Sequence, residues 1–501
     1  MLTILLWLPL AAVLVAALFP RVLVGPVAVL GSLGAAGLSI ALVAGYHGNE
    51  HGLQHVVDHV WIRQLGIHYK LGVDGLNVFL VLLTTVIFAA AFLASSLREW
   101  ERRRTFFFWM GLAESAVLGA FLSQDLALFV AFFDLMLIPF VFLTAMWGGP
   151  DRVRATIKFV IYTLVGSLLM LAAAIATGVI SAQGGAPLSF ALSDLHAHLL
   201  PAGTQDWVFL FFAAAFLVKM PAFPIHGWMP DAYKAMPIEA LMVFSGVLSK
   251  VGAYGFLRVA LPLFPEAAAR YQTLLLCIAL ASILYGSAMA FTTTQVRWIA
   301  GYSSVAQLGF ITLGIFSLRP EGAQGALIQM VNHGLVVAPL LFIIALLAAR
   351  SGGSEDIRDM GGIAFRAPVL ASLFLIVAMA TLAIPGSANF VGEFYILLGV
   401  FRSKIVFSCI AFTGVVLAAV YMLRAYIETM HNRVGERVTS REISVRDGLV
   451  LAPLVAAIIA FAVYPQIALT RSKRSASASV APAAVALHQR DAGTTTARST
   501  P

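Results

Sequence analysis

Charge is scarce in this sequence. Asp, Glu, Lys and Arg account for 11% of 501 residues, against about a quarter in soluble proteins, and mean hydropathy is +0.92. No soluble fold hides so much apolar surface, and no polar stretch is long enough for a separate soluble domain. Cysteine is scarcer still, with Cys277 and Cys409 each inside an apolar run. Two isolated thiols exclude a disulfide framework and cannot unaided hold zinc or an iron–sulfur cluster. The opening MLTILLWLPLAAVLVAALFP lacks a basic n-region and a convincing small-residue cleavage site. It reads as a retained first span, not a signal peptide. The net charge of +8 comes largely from loops and the tail RSKRSASASVAPAAVALHQR. In an apolar chain such charge bears on topology and lipid headgroups, and no nucleic-acid partner is expected.

What is present is a succession of apolar windows of about 20 residues, the length that spans a bilayer. They fall near 2–19, 24–45, 74–95, 105–122, 126–147, 155–181, 206–230, 236–260, 268–291, 298–317, 323–349, 367–398, 405–429 and 447–468. The predicted fold is an all-α polytopic membrane protein of about fourteen transmembrane helices. Three helices with an external loop at 46–72 occupy residues 1–100. A first five-helix repeat follows at 101–262, a second, inverted one at 263–430, and a loop and last helix at 431–470. The Ala-, Ser- and Thr-rich tail at 471–501 reads as disordered, with no room for a long lateral helix. Positive residues crowd the odd connections: Arg21; Arg98, Arg102, Arg103 and Arg104; Arg152, Arg154 and Lys158; Arg350, Arg358 and Arg366; Arg433, Arg437, Arg441 and Arg446. Odd loops are therefore expected in the cytoplasm and both termini on the outer face of a bacterial inner membrane.

The stretch 206–258 breaks two membrane rules. Lys219 and Lys250 sit deep in apolar runs, where insertion of a lysine costs roughly 2.5–3.5 kcal/mol. Pro221 and Pro224 follow Lys219 and break its helix. The freed backbone groups are tolerated only beside protein or internal water, which would gather both lysines and His226 around a hinge. ATLAIPGSANFVGEFYILLG has the matching break at Pro385 and Gly386, beside Glu393. Broken helices at corresponding places in two halves point to a transport site. The intramembrane ionisable residues form a row: Glu114, Asp134, Lys219, Lys250, His333 and Glu393. Asp134, ionised, needs a partner, and Lys219 is the obvious one. A unit pair about 4 Å apart is worth about 4 kcal/mol at an effective dielectric near 20. Displacing one member makes a proton switch; the plainer alternative is a static ion pair. His47, His51, His55 and His59 recur at helical i,i+4 spacing as a metal stripe would, but glycines interrupt them in an exposed connection. Gly31, Gly34 and Gly37 are packing glycines of a span, not a nucleotide loop.

Together KLGVDGLNVFLVLLTT, FFDLMLIPFVFLTAMWGG, KMPAFPIHGWMPDAY, GVLSKVGAYGFLR, GYSSVAQLGF, QMVNHGLVVAPLLF and NFVGEFYILLG resemble the subunit M family of bacterial respiratory NADH–quinone oxidoreductase (complex I). The mitochondrial counterpart is subunit 4. The resemblance runs from about residue 70 to 430 and implies an antiporter-like, proton-translocating membrane-arm subunit. It implies that NAD, FMN, iron–sulfur clusters and quinone belong to partner subunits and that adjacent antiporter-like subunits and lipids are this chain's neighbours. Carried over by motif, Asp134 pairs with Lys219, Lys250 is the central relay, His333 lies on the polar axis, Glu393 exchanges the proton at the far end, and Glu114 matches an acidic position in the fourth span. The family usually has glutamate where Asp134 stands, and often histidine at Tyr233 and Gln307. The alternatives are a subunit of a multisubunit sodium/proton antiporter, or a membrane subunit of a related hydrogenase or dehydrogenase.

Overall fold

The computed structural model describes residues 1–50, 52–183, 185, 187–439 and 441–498, the side chains of 493–498 excepted. Helix α1 (Leu2–Ala16) is followed by α2 (Arg21–Ala44). A hairpin of β1 (Gln54–Ile62) and β2 (Ile67–Val73) precedes α3 (Val78–Ser96), α4 (Arg103–Leu122), α5 (Leu126–Trp147) and α6 (Arg152–Ser181). A broken helix follows as α7 (Ala202–Lys219) and α8 (Met229–Ala235), then α9 (Ile238–Leu263). Next come α10 (Gln272–Thr292), α11 (Val296–Phe316) and α12 (Pro320–Arg350). A second broken helix, α13 (Pro368–Thr381) and α14 (Ala388–Ser403), leads to α15 (Ile405–Met430), α16 (Val445–Val463) and α17 (Gln466–Arg498). Helix occupies every predicted apolar window. Among the described residues, eleven helices are long and apolar enough to cross a membrane.

Burial sorts these helices. The apolar windows of α9 and α11 are 100% buried, whereas those of α6 and α15 are 39% and 33% buried. Ile157, Ile161, Leu164 and Leu168 line the outward stripe of α6 at helical spacing. Lys250 and Gln307 lie on the two fully enclosed helices, where protein, not lipid, surrounds them.

The connections lie on two faces. On one, Arg98 meets Glu239 at 2.6 Å, Gly149 N–H donates to Ala235 O, Arg297 pairs with Glu355, and Gly362 N–H donates to His431 O. These contacts tie the third and fifth connections to the seventh, and the ninth to the eleventh and the eleventh to the thirteenth, so the Arg-rich third, fifth, eleventh and thirteenth share this face. On the other face, Gln124 N–H donates to Lys70 O, Phe190 N–H to Gly66 O, and Arg270 pairs with Asp206.

Two expectations need correction. The external loop at 46–72 holds an antiparallel hairpin, with Asp58 opposite Lys70 and His59 opposite Tyr69. The run VVDHVWI is rich in β-branched residues that favour strand, so His55 and His59 never enter a helical stripe; His51 lies outside the described residues. Burial pushes the Asp58 carboxyl up, but hydrogen bonds from His68 and Lys70 outweigh it and hold the group below 3.8. The tail, predicted disordered, is helix α17. Its alanines are strong helix formers, and Ala468, Ser472, Ala476, Ser479 and Ala483 make a buried stripe of small side chains at 3.6-residue spacing. A Cβ on Gly75 would stand 2.4 Å from Arg471 O, so only glycine admits the helix so close. Gln324 donates to Leu469 O at 2.7 Å, Gly75 N–H to Ser475 Oγ at 3.1 Å, and Arg490 to Ala269 O at 3.1 Å. The helix lies laterally across the hairpin face.

Candidate functional site

Helix α7 ends at Lys219 because Pro221 and Pro224 supply no N–H to continue it; Met220 N–H donates to Phe216 O at 2.9 Å, and Ala222 N–H closes the end in a wider turn to Leu217 O at 3.0 Å. Its end presses on α9 at Gly252, where a Cβ would stand 2.7 Å from Phe216 O. This sets Lys219, 2% exposed, beside the helix that carries Lys250. The expected contact with Asp134 is not made: the ion pairs within 4.0 Å among the described residues include neither side chain, and Lys219 Nζ sits 4.6 Å from the centre of the Phe133 ring. Successive helical residues point about 100° apart, so a ring aimed at Lys219 turns the short Asp134 carboxylate aside, toward Ser167. Helix α5 also breaks at Met136, where Pro139 cannot donate to Leu135 O. His226 lies within the first break, 7% exposed, its ring 4.8 Å from that of Tyr285.

Lys250 is fully buried. Its Nζ donates to Ser245 O at 2.5 Å and to Ser249 Oγ at 3.3 Å. The helix around it is not the uninterrupted α-helix its apolar sequence predicts: Phe244–Leu248 and Phe256–Ala260 are π turns. Such wider turns recur at functional sites. Tyr233 O–H donates to Ser245 Oγ at 2.6 Å, which joins one of the departing positions to the Lys250 shell. His333 is carried by α12, beside Gly334, whose Cβ would stand 2.5 Å from Gly246 O in the first π turn.

Helix α12 also packs on α14 and so bridges Lys250 to Glu393. Gln307 Nε2 donates to Glu393 Oε1 at 2.7 Å, and Gln329 Nε2 donates to Gln307 Oε1 at 2.7 Å. Gln307 is thus a direct partner of Glu393, and it orients the carboxylate without taking a proton. Asn332 donates to Ala388 O, and Ser303 and Tyr421 share a hydrogen bond at 2.9 Å beside Glu393. Glu114 stands apart. Ser32 Oγ donates to both its oxygens, at 3.2 and 3.0 Å, and among the described residues no hydrogen bond or ion pair joins it to the others.

Several polar atoms along this line are buried with no protein partner among the described residues: Asp134 Oδ1, Lys219 Nζ, His226 Nδ1, Gln329 Oε1, Asn332 Oδ1, His333 Nδ1 and both amide atoms of Asn389. Buried polar groups need partners, and here water is the remaining one. The arrangement is a line of ionisable groups separated by hydratable gaps, suited to moving protons. Sequence reasoning missed Gln329, Asn332 and Asn389, uncharged residues on apolar helices; it also missed Glu239, fully buried against Arg98.

The family described as NADH:quinone oxidoreductase/Mrp antiporter, TM, matches residues 123–418. NADH-quinone oxidoreductase subunit M of Rhodobacter capsulatus is 35% identical over 439 residues, 86% of this chain and 85% of the relative. A chain of the respiratory complex I from Thermus thermophilus with bound NADH superposes with a TM-score of 0.89 at 32% identity, over 96% of this chain and 100% of that one. A chain of the Mrp complex from Dietzia sp. DQ12-45-1b shares the fold, with a TM-score of 0.82 at 19% identity over 97% and 98%. This chain, a multi-pass membrane protein, belongs to the family of subunit M of NADH-quinone oxidoreductase.

Proposed function

We propose that this chain is a proton-translocating membrane-arm subunit of an NADH–quinone oxidoreductase, working as a translocase within that complex. Fourteen helices cross a bacterial inner membrane in two inverted five-helix repeats at 101–262 and 263–430, with both termini outside. Two broken helices, at 220–228 and 382–387, and the Arg-rich face tied together by the odd connections support this topology. NAD, FMN, the iron–sulfur clusters and quinone belong to partner subunits, and adjacent antiporter-like subunits flank this one.

Protons move along Asp134, Lys219, Lys250, His333 and Glu393. A shift transmitted from a neighbouring subunit moves Asp134 toward or away from Lys219 and changes how tightly the ammonium holds its proton. Released, the proton passes through water to the neutral amine of Lys250, from there past His333, and finally to the Glu393 carboxylate and the outer face. His226 lines the water around the first break, and Glu114, buried against Ser32, is a further ionisable group apart from the main line.

The observation that carries this reading is Lys250: an amine buried in the centre of an enclosed helix, held by two neutral oxygens, between the two breaks. In vesicles holding the assembled complex, Lys250→Arg and Lys250→Met should both lose coupled proton translocation while assembly is retained. Arginine keeps the charge but never gives up its proton. Wild-type yield per electron pair in Lys250→Arg would remove the relay role. The fold shared with the Mrp complex favours a second reading, a gradient-driven sodium/proton antiporter subunit. Sodium-dependent proton exchange without any quinone reductase partner would select it.

A further inference from the structure

Arg258 follows Lys250 on α9, eight residues or about 12 Å away at roughly 1.5 Å per residue. Its Nη2 donates to Asp74 Oδ1 at 2.5 Å and its Nε to Tyr254 OH at 2.9 Å; Tyr254 O–H donates to Phe121 O at 2.9 Å. Asn77 donates to Phe121 O and Gly72 O, both at 2.9 Å, and accepts from Asp74 N–H at 2.9 Å. Leu76 N–H donates to Asp74 Oδ1 at 2.9 Å. The Arg258 and Asp74 side chains are 11% and 12% exposed. No polar side-chain atom of Asp74, Asn77, Tyr254 or Arg258 is among those buried without a partner. Beyond the pair, toward the hairpin face, opens a cavity of about 1000 Å³ floored by Asp74, Leu257 and Arg258 and roofed by Lys473, Ser475 and Ser479 of α17.

We propose that the Asp74–Arg258–Tyr254 network is a proton seal: it separates the water of this vestibule from Lys250, so that a proton on Lys250 leaves through the second half of the chain and not straight out beneath α17. The inference rests on the reading that Lys250 carries protons and that the hairpin face is the outer one. Proton hopping needs groups that accept on one side and donate on the other. Arginine has donors only and keeps its charge, which also repels an approaching hydronium, as a fixed arginine does in water-selective pores. The chain ends in a backbone carbonyl, Phe121 O, which passes nothing on. The axis itself has the opposite character, with orphaned atoms at Asp134, Lys219 and His333.

The test is passive proton leak in vesicles holding the assembled complex, under an imposed pH gradient and without NADH. Asp74→Asn with Arg258→Ala removes both charges together, so that neither is left buried alone, and opens room for vestibule water. Leak should rise roughly tenfold, the factor that about 1.4 kcal/mol of barrier represents, and adding Lys250→Met should return it to the wild-type level. Wild-type leak in the double variant, or a leak that survives Lys250→Met, overturns the seal. Should the double variant not assemble, Val251→Cys with Cys277→Ser and Cys409→Ser serves instead. A membrane-impermeant cationic thiol reagent added on the hairpin face should react with Ser475→Cys in the same background and not with Val251→Cys; labelling of Val251→Cys overturns the seal. Loss of the relay reading would show separately, as full coupled yield in Lys250→Arg.

Discussion

The two broken helices end in chemically opposite ways. At the first, Lys219 has a ring face beneath it, a carboxylate nearby but out of contact, and no hydrogen-bond acceptor. At the second, Glu393 is clasped by Gln307, which Gln329 holds in turn. A loosely held charge responds to small displacements of its neighbours, because Coulomb energy changes steeply at short range. A clasped one stays in register for exchange. Under the proposed function the first break would sense and the second deliver, a division that substitutions can test.

The largest effect is expected at Asp134. Asp134→Asn removes a carboxylate charge near Lys219 and should cut proton translocation at least about tenfold, with assembly intact. Asp134→Glu should translocate normally, since its extra methylene reaches toward the ammonium. Proton yield per electron pair is the measurement, and normal yield in Asp134→Asn would make the first break no more responsive than the second. A smaller loss is expected at Gln307. Gln307→Leu takes one hydrogen bond from Glu393 but leaves the carboxylate itself in place, and should slow turnover-linked translocation severalfold. Gln307→His, which keeps a donor there, should largely restore it. Equal losses in Gln307→Leu and Glu393→Gln would mean the clasp is itself the carrier.

The smallest effect lies outside the membrane, in the connection that leads to the second break. Hydrogen bonds from Arg358, then from Thr294, hold the Asp356 carboxyl at about 2, below the ordinary 3.8. A carboxylate depressed on folding stabilises above its unfolded value and loses that contribution as pH falls toward its folded one. Protease resistance of the 351–367 connection should hold above pH 3.8 and fade as pH drops toward about 2. Asp356→Asn should weaken it slightly and flatten that pH dependence.

Charge inside an apolar run is legible in sequence, and it located Lys219, Lys250, His333 and Glu393; two prolines after Lys219 foretold its break. What stayed hidden had no such contrast. Asp74 and Arg258 fall near the ends of their windows, where a charge is read as reaching for water, so their pairing across 184 positions was invisible. The buried stripe of α17 is built from alanine and serine, which a hydropathy reading passes over although their spacing is helical. The Asp134–Lys219 contact failed for a geometric reason that residue types alone do not carry: the neighbouring Phe133 takes the facing position.

The π turn at Phe244–Leu248 has a consequence for how this helix tolerates insertion and deletion. A π turn holds one residue beyond what an α-helix of the same rise needs. Excising one residue there would close the segment into a regular α-helix, as apolar as before and with Lys250 still in phase with what precedes it, but without the wide turn that spans Ser245 to Lys250. Such a deletion is nearly silent in composition and hydropathy. It would nonetheless remove the turn across which Lys250 Nζ reaches Ser245 O, so the length of this segment, as much as its lysine, sets how the amine is held.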